Sequence, residues 1–294
     1  LDGRREEAIT SASQSPDHRT DGGPSSVLCV ACETVSPIAT VSCPHCRGAL
    51  VLNGRWLLER RLGSGGQSRV YLARDRNDGT RAAAKVMSLD RAREWKNVDL
   101  FRRAARVLGH IDHPGVPHLV EYFEDERPGL VLFCLVHEFI EGRTLKQLLG
   151  EGERFSEAEA AAVARDVLAI LTYLHGLSPP VIHRDIKPSN LMRRPDGRLV
   201  LIDFDLVRDV LRPDGGSTVA AGTPGYAQLE QFIGEAVPAT DLYALGATLT
   251  ALLSRKEPLD LRTPGSQSID FGRHVNVAPA FAAVLEKMLE PDTA

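Results

Sequence analysis

The sequence lacks any apolar segment long enough to cross a membrane. Its longest uninterrupted apolar run covers residues 130–136, whereas a helix needs ~18 or more apolar residues to span a bilayer. The first 26 residues, rich in Ser, Asp, Gly and Arg, also lack the apolar core of a secretory signal peptide. We therefore expect a cytoplasmic protein with no membrane segment in this chain.

Neither sign of charge dominates. The 35 basic and 39 acidic side chains give a net charge of −4, which provides no general attraction to nucleic acids or anionic membranes. We expect no nucleic-acid partner. The hydrophobic content of 43% is that of an ordinary globular protein, sufficient for a sizeable core.

The composition changes along the chain and predicts three regions. Residues 1–26 contain almost no apolar side chains and are predicted to be disordered. Residues 27–52 hold four of the five cysteines, and the pattern from 55 to 140 is strand-like, with Gly and Asp-Gly turns. From 141 onward the pattern is helical, and Ser156 and Glu159 form a capping-box signature. This order predicts an α+β fold with a β-rich N-lobe (55–140) and an α-helical C-lobe (141–294).

Four cysteines form two Cys-x-x-Cys pairs, Cys29 with Cys32 and Cys43 with Cys46. Ten residues separate the pairs, a spacing that suits one tetrahedral Zn²⁺ held by four thiolates. Disulfide bonds are the alternative, which the cytosolic assignment disfavours. Four protein ligands leave no open coordination position, so the site is expected to be structural. The module resembles zinc ribbons, which serve as protein docks or, less often, as nucleic-acid readers. Because few basic or aromatic residues flank the cysteines, we expect a protein dock or an intramolecular brace.

Residues 183–190 read His-Arg-Asp-Ile-Lys-Pro-Ser-Asn. This run resembles the catalytic loop of protein kinases, and the chain is most similar to bacterial Hanks-type (eukaryotic-like) serine/threonine kinases. The resemblance implies that Asp185 accepts or orients the proton of the substrate hydroxyl. It implies that Lys187 lies near the transferred phosphate and that Asn190 holds a metal ion.

Residues 203–205, Asp-Phe-Asp, resemble the Asp-Phe-Gly motif of the same family. The resemblance makes Asp203 the principal Mg²⁺ ligand. The usual glycine is replaced by Asp205, for which two interpretations are open. Either the substitution is simply tolerated, or Asp205 restricts movement of the segment or adds a carboxylate to the metal site.

A glycine-rich loop precedes Lys85 at the spacing that kinases require for ATP. Small side chains there let backbone N–H groups approach the phosphates. The predicted loop residues are Gly63, Ser64, Gly65, Gly66, Ser68 and Val70. By the same resemblance Lys85 binds the α- and β-phosphates, and the backbone from Glu138 to Ile140 binds adenine beside a gatekeeper, His137.

The segment 222–230 resembles the end of a kinase activation segment. In that alignment Thr223 faces the catalytic Asp and favours Ser or Thr acceptors. Arg184, beside Asp185, suggests control by phosphorylation, with Ser217, Thr218 and Thr223 as candidate acceptors. The resemblance also places Asp241 on a buried helix, where it orders the catalytic-loop backbone.

One family residue is missing. Active kinases pair the strand lysine with a glutamate on the small-lobe helix, and the motif spacing puts Ala104 in that position. Glu94, ten residues earlier, lies ~15 Å away along a helix. Three alternatives are open: an active kinase with a substitute acid, a slow kinase, or a nucleotide-binding pseudokinase that acts as a scaffold.

The resemblance covers residues 55–294 and implies a kinase that transfers the γ-phosphate of ATP to Ser or Thr hydroxyls of protein substrates. The expected cofactors are ATP, Mg²⁺ and the structural Zn²⁺. Kinase domains normally continue to an arginine that pairs with the residue corresponding to Glu230. We therefore expect the natural protein to run on beyond residue 294, or its last helices to be absent from this chain.

Overall fold

The structure, a computed structural model, describes residues 25–65, 68–88, 95–209, 222–228, 231, 236–262 and 268–290. The predictions for residues 1–24 and for five named positions fall outside these ranges. These positions are Gly66, Glu94, Ser217, Thr218 and Glu230.

The cysteine-bearing region begins with a short antiparallel hairpin. Strand β1 (Ser26–Leu28) pairs with β2 (Val35–Pro37). Val27 and Leu50 pack with the buried Cys29 and Cys43 in a small core. Strand β3 (Val51–Leu52) then joins this region to the large sheet.

The N-lobe is built on a six-stranded antiparallel sheet with the order β3-β4-β5-β6-β8-β7. Its further strands are β4 (Trp56–Ser64), β5 (Ser68–Asp75), β6 (Arg81–Ser88), β7 (Leu119–Arg127) and β8 (Leu130–Glu138). Helix α1 (Trp95–Leu108) packs Val98, Phe101 and Leu108 against the sheet, next to Phe133 and Leu135. Apolar residues at helical spacing explain this packing.

The C-lobe is mainly helical. Its helices are α2 (Leu145–Gly150), α3 (Glu157–His175), α4 (Pro238–Ser254) and α5 (Pro279–Met288). Its short strands are β9 (Arg143–Thr144), β10 (Val181–Ile182), β11 (Leu191–Arg193), β12 (Leu199–Leu201) and β13 (Arg208–Asp209), with 3₁₀ turns at Pro188–Asn190 and Pro258–Leu261. The predicted capping box forms at Ser156. Helix α4 is buried around most of its circumference, as expected for a central helix that is apolar on every side.

The predicted two-lobed α+β architecture is confirmed. Residues 139–142 connect the last N-lobe strand to the C-lobe, and the catalytic-loop residues lie between β10 and β11. Among the described helices, none is both long and apolar enough to cross a membrane.

Candidate active site

A buried carboxylate on α4 holds the 183–190 loop. Asp241 is fully buried and accepts hydrogen bonds from the backbone N–H groups of His183 (2.9 Å) and Arg184 (2.8 Å). Its Oδ2 also lies 2.9 Å from Nε2 of His175. Arg184 has a left-handed backbone with φ 70°, a conformation that persists only where surrounding contacts fix it. The predicted contact of Asp241 with the loop backbone is present.

Four polar side chains meet in a cluster centred on Asp185. Lys187 Nζ lies 3.0 and 2.7 Å from the two carboxylate oxygens of Asp185. Asn190 Nδ2 donates to Asp185 Oδ2 at 2.9 Å and to its main-chain oxygen at 2.8 Å. The hydroxyl of Thr223 donates to Asp185 Oδ1 at 2.7 Å and accepts from Lys187 Nζ at 2.7 Å. Asp185 is therefore oriented by the ammonium of Lys187 and the amide of Asn190, and its carboxylate accepts a hydrogen bond from a hydroxyl group.

Asp203 lies next to this cluster, directly after β12. Its φ of 68° is left-handed, so the strained residue of the turn is Asp203 and not Asp205. Phe204 is buried, and its ring meets the ring of His183 edge-on, with centroids 4.7 Å apart. Burial lowers the pKa of His183, which keeps that ring neutral in its apolar contact. The aromatic pair ties the 203–205 segment to the catalytic loop.

Lys85 reaches across from β6 to the same segment. Its Nζ lies 2.6 Å from Oδ1 of Asp203 and 2.5 Å from Oδ2 of Asp205, and its side chain is 9% exposed. Desolvation alone would lower the pKa of Lys85, but the two carboxylates outweigh it and raise this pKa above its ordinary value. Burial acts to raise the pKa of Asp203, but the charge and hydrogen bond of Lys85, with a smaller contribution from Lys187, together outweigh it and lower this pKa to about 2. Lys85 is thus a buried, charged ammonium between two carboxylates.

The helix position expected to carry the lysine's partner contains no acid. Ala104 is 1% exposed and belongs to the apolar core beneath α1. The sequence predicts that this helix position lacks an acid, and the structure agrees: the position is filled by Ala104, which is packed in the core.

The strand of Lys85, β6, lies between β5 of the glycine-rich hairpin and β8, which ends at Glu138. Gly63 pairs with Val70 and Ser64 with Arg69 across β4 and β5, while Val70 lies opposite Lys85 across β5 and β6. The N–H of Gly65 donates to the carbonyl oxygen of Ser68 at 2.9 Å, which closes the described part of the turn.

His137 precedes the predicted adenine-binding backbone on β8. Burial lowers its pKa, with the charge of Lys85 acting in the same direction. Its Nδ1 lies 2.9 Å from the main-chain oxygen of Glu138. The carboxylate of Glu138 is held by Arg194 at 2.7 Å, and Ile140 is buried.

Comparison with known proteins supports the resemblance. The protein kinase domain model matches residues 56–293. The chain belongs to the protein kinase family. Serine/threonine-protein kinase B of Synechocystis sp. is 37% identical over 265 residues, covering 84% of this chain and 45% of that protein. Serine/threonine-protein kinase F of the same organism is 35% identical (88% and 56% covered), and PknA of Nostoc sp. is 34% identical (81% and 44%).

The chain spans about half the length of these curated relatives. Its similarity to them therefore concerns the matched part of each protein, and their substrates and partners do not transfer with it.

The kinase residues near Asp185 form a donor set that fits a magnesium–nucleotide complex. Mg²⁺ prefers oxygen ligands, and Asp203 offers a carboxylate. The Nδ2 of Asn190 is committed to Asp185, so its Oδ1, which accepts a hydrogen bond from the Ser189 hydroxyl at 3.2 Å, is the side-chain oxygen that would face a metal. The ammonium of Lys85 supplies positive charge beside them.

The four cysteines of the N-terminal module converge. Their Sγ atoms all lie within 4.8 Å of one another, and the Cys29–Cys46 and Cys32–Cys43 pairs are 3.5 Å apart. A tetrahedral Zn²⁺ with Zn–S bonds of ~2.3 Å separates its sulfurs by about 3.8 Å, whereas a disulfide needs ~2.05 Å. The thiols are unpaired, so the geometry fits a zinc site and not the disulfide alternative.

The two Cys-x-x-Cys turns repeat one backbone pattern. In each, the fourth residue after the first cysteine is left-handed and donates its N–H to that cysteine's carbonyl oxygen at 2.8 Å. These residues are Glu33 (φ 57°) and Arg47 (φ 60°). Such repeated turns direct both sulfur pairs towards one point.

The module also packs on the kinase sheet. Leu28 and Val30 share a core with Trp56 and Leu58 of β4. The carboxylate of Glu33 lies 3.1 Å from Arg61, 3.0 Å from Arg69 and 3.1 Å from the hydroxyl of Tyr71. Arg61 and Arg69 belong to the two strands that enclose the glycine-rich turn.

Sequence reasoning missed two contacts of this site. The contacts of Glu33 are not predictable, because nothing in a surface glutamate indicates its distant partners. The Asp-Phe-Asp pattern draws attention to Asp205, but it does not indicate a contact with Lys85. The absent acid at Ala104 was the signal that Lys85 needed another partner.

Proposed function

We propose that this chain is an ATP-dependent serine/threonine protein kinase that transfers the γ-phosphate of ATP to Ser or Thr hydroxyls of protein substrates. The observation that carries the proposal is the contact of the Thr223 hydroxyl with both Asp185 and Lys187, at 2.7 Å each. A substrate hydroxyl in the same position would have its proton directed at a carboxylate and its oxygen beside an ammonium. The similar proteins named above are serine/threonine-protein kinases, which agrees with this class of reaction.

In the proposed mechanism Asp185 orients the acceptor hydroxyl and takes its proton, while Lys187 offsets the charge of the transferred phosphoryl group. Lys85 binds the α- and β-phosphates. Asp203 and Asn190 would hold Mg²⁺, which neutralises phosphate charge when bound.

Around the nucleotide, the glycine-rich turn covers the phosphates, and the backbone from Glu138 to Ile140 binds the adenine. Positioning and charge stabilisation account for most of the rate in phosphoryl transfer. The protein therefore needs few reactive groups beyond those already named.

The cysteine module is proposed to bind one structural Zn²⁺ and to brace the N-lobe from outside. The shared core with Trp56 and Leu58 supports an intramolecular role. Its outer surface also exposes Val35, Ile38 and Val41, which are candidates for protein docking. We propose that the kinase acts in the cytoplasm, which contains ATP and keeps cysteine thiols reduced, as zinc binding by the four cysteines requires.

Phosphosite mapping tests the assignment. After incubation of the chain with Mg-ATP and a generic protein substrate, mass spectrometry should find phosphate on Ser and Thr. Asp185→Asn should abolish it, and Asp78→Asn, an exposed carboxylate in the β5–β6 turn, should not. Phosphotyrosine alone would refute the acceptor class. ATP binding with no transfer by the native chain would favour the pseudokinase alternative.

A further inference from the structure

Within its described residues, 95–108, the small-lobe helix offers no carboxylate at the position that kinases use to hold the strand lysine. Ala104 occupies the position and is buried. The only acidic residue between positions 95 and 108 is Asp99, which is exposed. Five residues at ~100° each place it about 140° around the helix from Ala104. Asp99 therefore points away from the site.

Two carboxylates, those of Asp203 and Asp205, contact Lys85 instead. They differ in whether they are also expected to bind a metal ion. Asp203 lies 2.6 Å from Lys85 Nζ, but in the proposed function this carboxylate belongs to Mg²⁺. Asp205 lies 2.5 Å from the same Nζ. Asp205 is thus the carboxylate that can stay with the lysine when Asp203 serves the metal.

The backbone explains why an aspartate fits where the family has glycine. Asp203 is the left-handed residue of this segment, and Asp205 is absent from the residues with positive φ. A side chain at 205 therefore carries no left-handed strain, and the turn projects it towards β6.

We propose that Asp205 is the positioning residue of Lys85, taking the role that the helix glutamate has in other protein kinases. The inference deepens the proposed function and rests on it. It explains two departures from the family pattern together. Ala104 stands where the family has an acid, and Asp205, on the opposite lobe, supplies an acid where the family has glycine. Lys85 is then oriented from the 203–205 segment, so its position depends on that segment and not on the placement of α1.

A double-mutant cycle tests the pairing. We expect Asp205→Asn to reduce kcat/KM for ATP by about 10- to 100-fold, the size expected for one misplaced contact. In a Lys85→Met background the same change should have less than a ~2-fold further effect, because the partner is already gone. Asp205→Glu, which keeps the charge, should recover part of the loss, and Asp78→Asn is the matched control.

Binding of ATP in EDTA gives a readout that needs neither metal nor turnover. Asp205→Asn should weaken ATP binding when Lys85 is present and leave it unchanged in Lys85→Met. If the native chain transfers no phosphate, the proposed function fails. This binding measurement still tests the pairing of Asp205 with Lys85. The acid exchange itself is tested by Ala104→Glu in the Asp205→Asn protein, checked first for folding by circular dichroism, and it should restore activity.

Three results would overturn the proposal. The first is an Asp205→Asn protein with native kinetics and native ATP affinity. The second is a loss of equal size with and without Lys85. The third is a loss that appears only as a raised Mg²⁺ requirement, which would make Asp205 a metal ligand.

Discussion

At the scale of single residues, Asp241 connects the fold to the chemistry. Its carboxylate is fully buried and receives two backbone N–H groups of the loop that carries Asp185. An unsatisfied buried donor costs ~1–3 kcal/mol. The loop conformation at Arg184 therefore depends on this side chain of α4, together with Gln231, whose amide donates to the carbonyl oxygen of Arg184 at 2.6 Å.

Replacing Asp241 tests this dependence. In Asp241→Asn, one loop N–H group faces an amide N–H, so we expect the free energy of unfolding to fall by ~1–3 kcal/mol. We also expect kcat to fall more than KM for ATP rises, because Asp185 loses its fixed orientation. Urea denaturation and steady-state kinetics measure the two effects. Asp260→Asn, an exposed site, should change neither, and a fully active Asp241→Asn protein would contradict the dependence.

Thr223 tests the acceptor geometry. Its hydroxyl is shared between Asp185 and Lys187, so Thr223→Ala removes a contact to each. We expect kcat for Ser and Thr peptides to fall by about 10- to 150-fold, as for one hydrogen bond to a charged group at ~1.5–3 kcal/mol. Thr223→Ser keeps the hydroxyl and should remain near native. Equal loss in both variants would show that the methyl group and not the hydroxyl matters.

Local sequence could predict the residues of the catalytic loop because their spacing along the chain fixes them. The structure brings the 183–190 run and the 203–205 motif together, since the ring of Phe204 packs edge-on against His183. The Lys85–Asp205 contact joins residues 120 positions apart. It depends on the path of the backbone at Asp203, which no local pattern reveals.

At the scale of elements, the cysteine module and the glycine-rich hairpin are joined by one carboxylate. Glu33 contacts Arg69 on β5 and Arg61 on β4. Because these strands carry the turn that we propose covers the phosphates, the module is expected to limit the movement of that turn.

Glu33→Gln tests this brace. Partly exposed ion pairs contribute ~0.2–1 kcal/mol each, so we expect KM for ATP to rise about two- to fivefold with little change in kcat. Glu59→Gln is a matched control, because Glu59 pairs with Arg74 in the same sheet at 2.5 Å without contacting the turn residues. A similar rise in both variants would argue for a general effect on the sheet.

Metal removal tests the module itself. Elemental analysis should find about one Zn²⁺ per chain, as four thiolates imply. Stripping the metal with a chelator should lower the Tm of the N-lobe, because Leu28 and Val30 share its core. Cys29→Ser should reproduce the loss, whereas Cys134→Ser, a buried cysteine on β8 outside the cluster, should retain zinc. A metal-free native protein with unchanged Tm would refute the zinc assignment.

The types of the secondary-structure elements were largely predictable from the sequence, but the surfaces on which these elements pack were not. The Ser156 capping box, the strand-rich N-lobe and the buried α4 all follow from periodicity and composition. The packing of Leu28 and Val30 on β4 does not, because an apolar residue in a short strand indicates burial but not the surface that buries it.

At the scale of the whole molecule, the two lobes contribute different halves of one site. The N-lobe supplies Lys85 and the glycine-rich turn, and the C-lobe supplies Asp185, Asn190 and Asp203. Lys85 joins the two halves directly through its contacts with Asp203 and Asp205. We interpret this arrangement as a working phosphotransfer site despite the missing helix acid.

A single-turnover measurement tests that interpretation most directly. The chain, in excess over Mg-[γ-³²P]ATP, is mixed with a generic Ser/Thr substrate, and transferred label is counted over time for the native protein and for Asp185→Asn. We predict transfer by the native chain and at least ~100-fold slower transfer by Asp185→Asn, the usual contribution of a general base. ATP affinity should be similar in the two. Equal label in both proteins, or binding without transfer by the native chain, would contradict a working site.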